Sequence, residues 1–337
     1  MNRFLPKFLA CFIVFFASLA YYRFGVLPSL SGEFGVLGQI PFGKEYEGLS
    51  IDYYDREPLE FANVANISSR DSVGYYRILT IGDSFSQYGP EGYQWRLSHL
   101  AKTTVGNIKD VSISNPIQAF VSYANSGLFS DRQTIIVECV ERHLIERLSS
   151  LDFSQMVDNH AQADNHENDS DFSLLNMFFS WIRLSIGFDS PVRSFDLKEE
   201  LFTHPKYSST LFVYNSKKTD NGDLLWENRM KDFDAASLNL IRLDEFAKEK
   251  GLELVFLIAT DKYDAYEPWI AGVDHQRNPT LSVLPNDPFI INTKPFLQEA
   301  ISRGEKDIYK VNNTHWSVIG ADLMADLIFT EISANSL

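Results

Sequence analysis

Residues 78–89 read "ILTIGDSFSQYG", and the change of character at Gly82 decides the fold. Residues 78–81 are aliphatic or β-branched, as a buried strand requires. Gly82, Asp83, Ser84 and Phe85 follow, and the chain turns polar. A serine delivered to the end of such a strand is either the cap of the next helix or a nucleophile at the sheet edge. The choice depends on whether the rest of the chain supplies a base.

Working outward, strands and helices alternate. "EGYQWRLSHLAKT" (91–103) has helical spacing in Trp95, Leu97 and Leu100. "IKDVSIS" (108–114) reads as a strand, and "NPIQAFVSYANSGLF" (115–129) as a helix with Asn115 as N-cap and Pro116 at its first position. "TIIVECVE" (134–141) is nearly all apolar, the mark of a strand covered on both faces. The rhythm breaks at 157–171, an acidic low-complexity stretch that reads as a mobile loop, followed by the apolar "FSLLNMFFSWIRLSIGF" (172–188). It returns with a helix ending at Gly251, a strand over 252–259, a short strand expected over 307–311 and a last helix. The pattern predicts an α/β domain over 74–337 with a mostly parallel central sheet and an insertion at about 150–230. The sheet strands are expected at 76–81, 109–114, 134–139, 252–259 and 307–311.

The first 23 residues carry Arg3 and Lys7 before an apolar run from Phe8 to about Tyr22. Two readings fit: a signal anchor, which Arg23 and the Tyr21–Tyr22 pair favour, or a cleaved signal peptide with Ser18 and Ala20 before the cut. Either places the body outside the cytoplasm, at the periplasmic face of the cell envelope. Residues 24–73 read as a stalk that wraps onto the domain. A net charge of -15 argues against nucleic acid as a partner. The two cysteines lie in apolar runs, and no Cys/His cluster suggests a metal or cofactor.

Four predicted strand ends carry unusual polar residues: Gly82 to Phe85, Glu138 to Arg142, Asp261–Lys262, and Asn312 to Trp316. Each has a bland reading: a cap for Ser84, an i, i+4 ion pair for Glu138 and Arg142, a solvated Lys262, a structural His315. Together they stand where open α/β sheets build their sites.

"GDSF" with a late histidine loop resembles the SGNH (GDSL-type) hydrolase superfamily over about residues 74–332. With "IVECVERHL", "ATDKYDAY" and "NNTHWS..G" it is most similar to the SGNH domain of alginate O-acetyltransferases of the AlgJ and AlgX type. The resemblance implies a three-layer sandwich with Ser84 as nucleophile, His315 as base and Asn313 in the position of the orienting acid. Phe85, Asn115, Arg142, Lys262, Tyr88 and Trp316 become oxyanion or substrate candidates; Gly127 is a further oxyanion candidate. Two departures stand out. The serine precedes the other elements, as in ordinary SGNH hydrolases. Asn313 replaces an acid, an exchange that costs about 10⁴ in turnover in a serine protease; Asp307 and Asp261 are possible substitutes. The implied activity is O-acetyl transfer to an exported polysaccharide, from a membrane-bound acyl donor protein. The alternatives are a carbohydrate or lipid acetyl esterase and a catalytically impaired glycan-binding subunit.

Overall fold

The computed structural model describes Phe16 and residues 59–67, 70–86, 92–108, 115–157, 192–205, 207–214, 230–272, 287–311 and 313–335. The N-terminal apolar run apart from Phe16, the acidic loop, the 172–188 stretch, Tyr88 and Asn312 lie outside the described residues. No helix of the described residues is long and apolar enough to cross a membrane.

Six strands form one sheet: β1 (Val64–Ile67), β2 (Ile78–Gly82), β3 (Val105–Ile108), β4 (Thr134–Val140), β7 (Glu253–Ala259) and β8 (Ile290–Asn292). Their order is β1-β3-β2-β4-β7-β8, and every pairing is parallel. Two further strands among the described residues, β5 (Val192–Asp196) and β6 (Thr210–Tyr214), pair antiparallel in a separate hairpin inside the expected insertion. The α-helices are α1 (Tyr93–Ala101), α2 (Pro116–Asn125), α3 (Leu144–Ser149), α4 (Met230–Glu249), α5 (Lys262–Tyr266), α6 (Thr293–Ser302) and α7 (Val318–Asn335).

Every residue of β4 is buried, because both sheet faces are covered. Leu79, Ile81, Ile135, Val137, Cys139, Phe256 and Ile258 share one core with α2, α3 and α4. Strand alternation sends Thr80 and Glu138 to the other face, where α1 and α7 pack together and Arg96 pairs with Asp326 at 3.2 Å. After β2 the chain moves to β3 on one side, then crosses to β4 on the other. The strand order therefore reverses at β2, the kind of switch point beyond which open α/β sheets build their binding crevices.

Local signals behave as their physics requires. Asn115 Oδ1 accepts from the amides of Ile117 (3.0 Å) and Gln118 (3.4 Å) and caps α2. Gly251, at φ 69°, ends α4 in a Schellman motif: its amide meets the Lys248 carbonyl, and the Leu252 amide meets that of Ala247.

The strand expected at 109–114 falls outside the described residues; just before it, β3 occupies Val105–Ile108. One expected strand is corrected. Residues 307–311 belong to no sheet strand; Tyr309 makes a single antiparallel bridge to Trp316. Carbonyls of that segment turn instead to a lysine side chain, and β8 takes the place beside β7. The segment read as a wrapping stalk contributes edge strand β1.

Candidate active site

The turn after β2 is held from three sides. Asp83 Oδ2 accepts from the Val140 amide at 2.9 Å and from Arg147 at 2.5 Å, tying the end of β2 to the end of β4 and to α3. The carboxylate is thereby committed to structure. Residues 84–86 form a single 3-10 turn closed by the Ser86 amide on the Asp83 carbonyl, 3.0 Å. Beneath it, Ser86 Oγ meets Tyr93 Oη at 2.9 Å, and Gln94 Nε2 donates to the Ser86 carbonyl at 2.5 Å. Gly82 is required by close approach: a Cβ there would stand 2.6 Å from Glu138 Oε2 and press on the Ser86 hydroxyl. Ser84 opens the turn and is partly exposed.

Glu138 lies fully buried under this turn. Burial and the neighbouring Asp83 charge push its carboxyl well above the usual range; Ser86, Arg147 and the Asp83 backbone pull it back only in part. The protonated form of Glu138 is thereby favoured. The ion pair that was the bland reading of Glu138 and Arg142 does not form. An i, i+4 spacing places side chains together on a helix, whereas Glu138 is on β4 and Arg142 on the 3-10 turn 141–143 beyond it. Arg142 pairs with Asp261.

The histidine loop is a tight hairpin. Lys310 N–H bonds the His315 carbonyl at 3.0 Å, and Ser317 N–H bonds that of Ile308 at 2.9 Å. Ser317 then caps α7, its Oγ accepting from Ile319 N–H at 3.0 Å. Gly320 lets that helix cross the Ile308 carbonyl, where any Cβ would collide. Phe85 packs on the His315 ring with centroids 4.9 Å apart, and on Trp316 at 4.6 Å. The two turns are thus in contact through the residue next to Ser84.

Asn313 Oδ1 sits 3.1 Å from the His315 backbone nitrogen and 2.5 Å from His315 Nδ1. A backbone N–H can only donate, so the atom it meets is the amide oxygen. The ring nitrogen that meets the same oxygen must carry the proton. Asn313 therefore fixes the Nδ1–H tautomer and leaves Nε2 with the basic lone pair. Burial, with Arg142 and Lys310 nearby, lowers the His315 pKa to about 3.

Neither carboxylate suggested as a substitute acid serves the ring. Asp307 accepts from Thr203 N–H (3.0 Å) and Thr203 Oγ1–H (2.5 Å), and Asp261 holds Arg142. Asn115 is spent as a cap. Gly127, at φ 67°, is the Schellman glycine at the far end of α2, toward the start of β4 and away from the site. Trp316, expected to meet substrate, is buried against Phe85 and Tyr93. Lys262, whose bland reading is a solvated chain, is 2% exposed.

Sequence reasoning missed a buried network beside the site. Ligand-capable oxygens of Glu141, Asp261 and Asp264 lie within 4.8 Å of one another. Arg142 lies on Asp261, and Lys294 reaches Asp264 (3.5 Å) and Glu267 (3.4 Å), so the cluster carries its own cations. Burial and the adjacent Asp264 and Asp261 charges push Glu141 well above the usual carboxylate range. The signal was the i, i+3 pair of aspartates in "DKYDAY", which one helical turn brings together.

No protein-family model, curated protein or solved structure matches this chain.

Proposed function

We propose that the chain is a serine-dependent acyltransferase of the SGNH type that O-acetylates an exported polysaccharide. The observation that carries the reading is the paired acceptance of His315 N–H and Nδ1–H by Asn313 Oδ1, on a loop whose histidine packs against the neighbour of Ser84. His315 Nε2 takes the Ser84 hydroxyl proton as Oγ bonds to the acetyl carbonyl carbon. The bond to the donor's oxygen breaks, and Nε2 returns the proton to that leaving group. A sugar hydroxyl then attacks the acetyl-serine, gives its proton to Nε2, and Ser84 Oγ is released with that proton. Arg142 supplies positive charge beside the histidine. The basic, then apolar, N-terminus favours an envelope location with a membrane-bound donor protein.

A second reading, an impaired glycan-binding subunit, draws on the His315 pKa near 3 and on Asn313, which brings no charge to an imidazolium. Incubating the full chain with a chromogenic acetyl ester, with and without oligosaccharide acceptors, tests both. Acetylated oligosaccharide supports transfer, release of acetate alone indicates an esterase, and silence favours the binding subunit.

A further inference from the structure

Lys262 begins α5, directly beyond the C-terminal end of β7. Its ammonium donates to three backbone carbonyls of one loop: Lys310 at 2.7 Å, Val311 at 3.0 Å and Asn313 at 3.1 Å. The Phe202 ring lies 5.6 Å from the same nitrogen. Three carbonyl dipoles converging on one buried point repel one another unless a cation with donors in three directions stands there. An ammonium has three N–H donors and no acceptor.

The loop so gathered carries both Asn313 and His315. Lys262 holds the Asn313 carbonyl while the side chain of the same residue accepts from the His315 ring. The backbone of Asn313 is thereby fixed, which sets the direction of its Oδ1, which in turn sets the histidine tautomer. Residues 309–311 and 313–316 take no place in the sheet; their strand pairing among the described residues is the Tyr309–Trp316 bridge, and the lysine's bonds tie their carbonyls besides.

We infer that Lys262 is the positioning residue of the site: it orders the Lys310, Val311 and Asn313 carbonyls so that Asn313 presents its oxygen to His315 and selects the Nδ1–H tautomer. The inference rests on the proposed reading for its catalytic consequence, and on the hydrogen-bond geometry alone for its structural one.

The test uses the full chain, selectively labelled with ¹⁵N-histidine, in wild-type, Lys262→Met and Lys262→Arg forms, with His315 assigned through a His315→Gln control. Circular dichroism and Tm establish folding. Nitrogen shifts report the tautomer whether or not the protein is an enzyme. The expected result is a pure Nδ1–H tautomer in the wild type and a mixture in Lys262→Met. With an acetyl ester, kcat should fall by about 100-fold, as a misplaced catalytic group costs, while KM stays unchanged. Lys262→Arg keeps the charge, but a planar guanidinium cannot converge three donors on one point, so its tautomer should be mixed and its kcat intermediate. A folded Lys262→Met with a wild-type tautomer overturns the inference. If the Met variant does not fold, wild-type tautomer and kcat in the Arg variant overturn it instead. A wild type that shows the Nδ1–H tautomer but no turnover contradicts the enzymatic reading alone, and the tautomer comparison still decides the role of Lys262.

Discussion

Asn313 accepts two hydrogen bonds from His315, one from its backbone and one from its ring, and so fixes the ring's tautomer without bringing a charge to it. In a serine protease, Asp to Asn loses both the tautomer and the stabilised imidazolium. Here the tautomer is already correct, so only the charge is missing.

Asn313→Asp should therefore raise turnover by about 10- to 100-fold, a share of the roughly 10⁴ attributed to the full exchange. The gain belongs in kcat rather than KM, because residue 313 faces the histidine. The pH profile carries a second signature. With the His315 pKa lowered to about 3, wild-type kcat/KM should stay level from pH 8 down to about 5. The added carboxylate favours the charged imidazole, so the acid limb of the variant should move upward in pH. An unchanged profile with lower kcat would mean that residue 313 does not govern the base.

Glu138 gives a stability prediction of opposite sign to that of most carboxylates. Its folded pKa is raised above the unfolded value, so the folded state holds a proton the unfolded state loses. The stability it contributes is present below the unfolded pKa and is lost as pH rises through the folded one. Each pH unit inside that window costs about 1.4 kcal/mol. Glu138→Gln keeps the shape and removes the titration. Its Tm should match the wild type near pH 4 and exceed it at pH 8, by roughly 2–4 °C for each kcal/mol recovered. Thermal melts across that range check this, and a variant less stable at pH 8 would contradict it.

The Asp83–Arg147 pair bridges α3 and the turn that carries Ser84, with both side chains mostly buried. Removing one partner strands the other's charge. Arg147→Met should destabilise by about 3 kcal/mol, and Asp83→Asn by a similar amount. A double-mutant cycle from denaturant melts should show the double variant losing far less than the sum. Additive losses would mean the pair is not coupled in solution.

The readable parts of the fold were those whose cause is local. Strand β4 announces itself as an apolar run, Asn115–Pro116 as a helix start, and Gly251 as a helix end. Strand β8 has three residues and β1 four, too few for a period to emerge. Residues 307–311 carry the β-branched and aromatic residues of a strand in Ile308, Tyr309 and Val311, yet two of their carbonyls answer to Lys262, 48 and 49 positions earlier. Such a partner leaves no periodic trace. Ser84, Asn313 and His315 stood out in the sequence as motifs, and the structure bonds Asn313 to His315. The tautomer was not legible, because it depends on which way an amide points. Nor was the Arg142–Asp261 pair, which joins the ends of β4 and β7 across 119 residues.

The central claim is that Ser84 carries the acyl group and His315 makes it nucleophilic. The most direct measurement is peptide mass spectrometry of the full chain after brief exposure to an activated acetyl ester, quenched in acid. The account predicts one acetyl group on Ser84, absent from Ser84→Ala, strongly reduced in His315→Ala, and discharged when an acceptor oligosaccharide is added before the quench. An unlabelled Ser84 in the wild type, or equal labelling of Ser84 in His315→Ala, would contradict it.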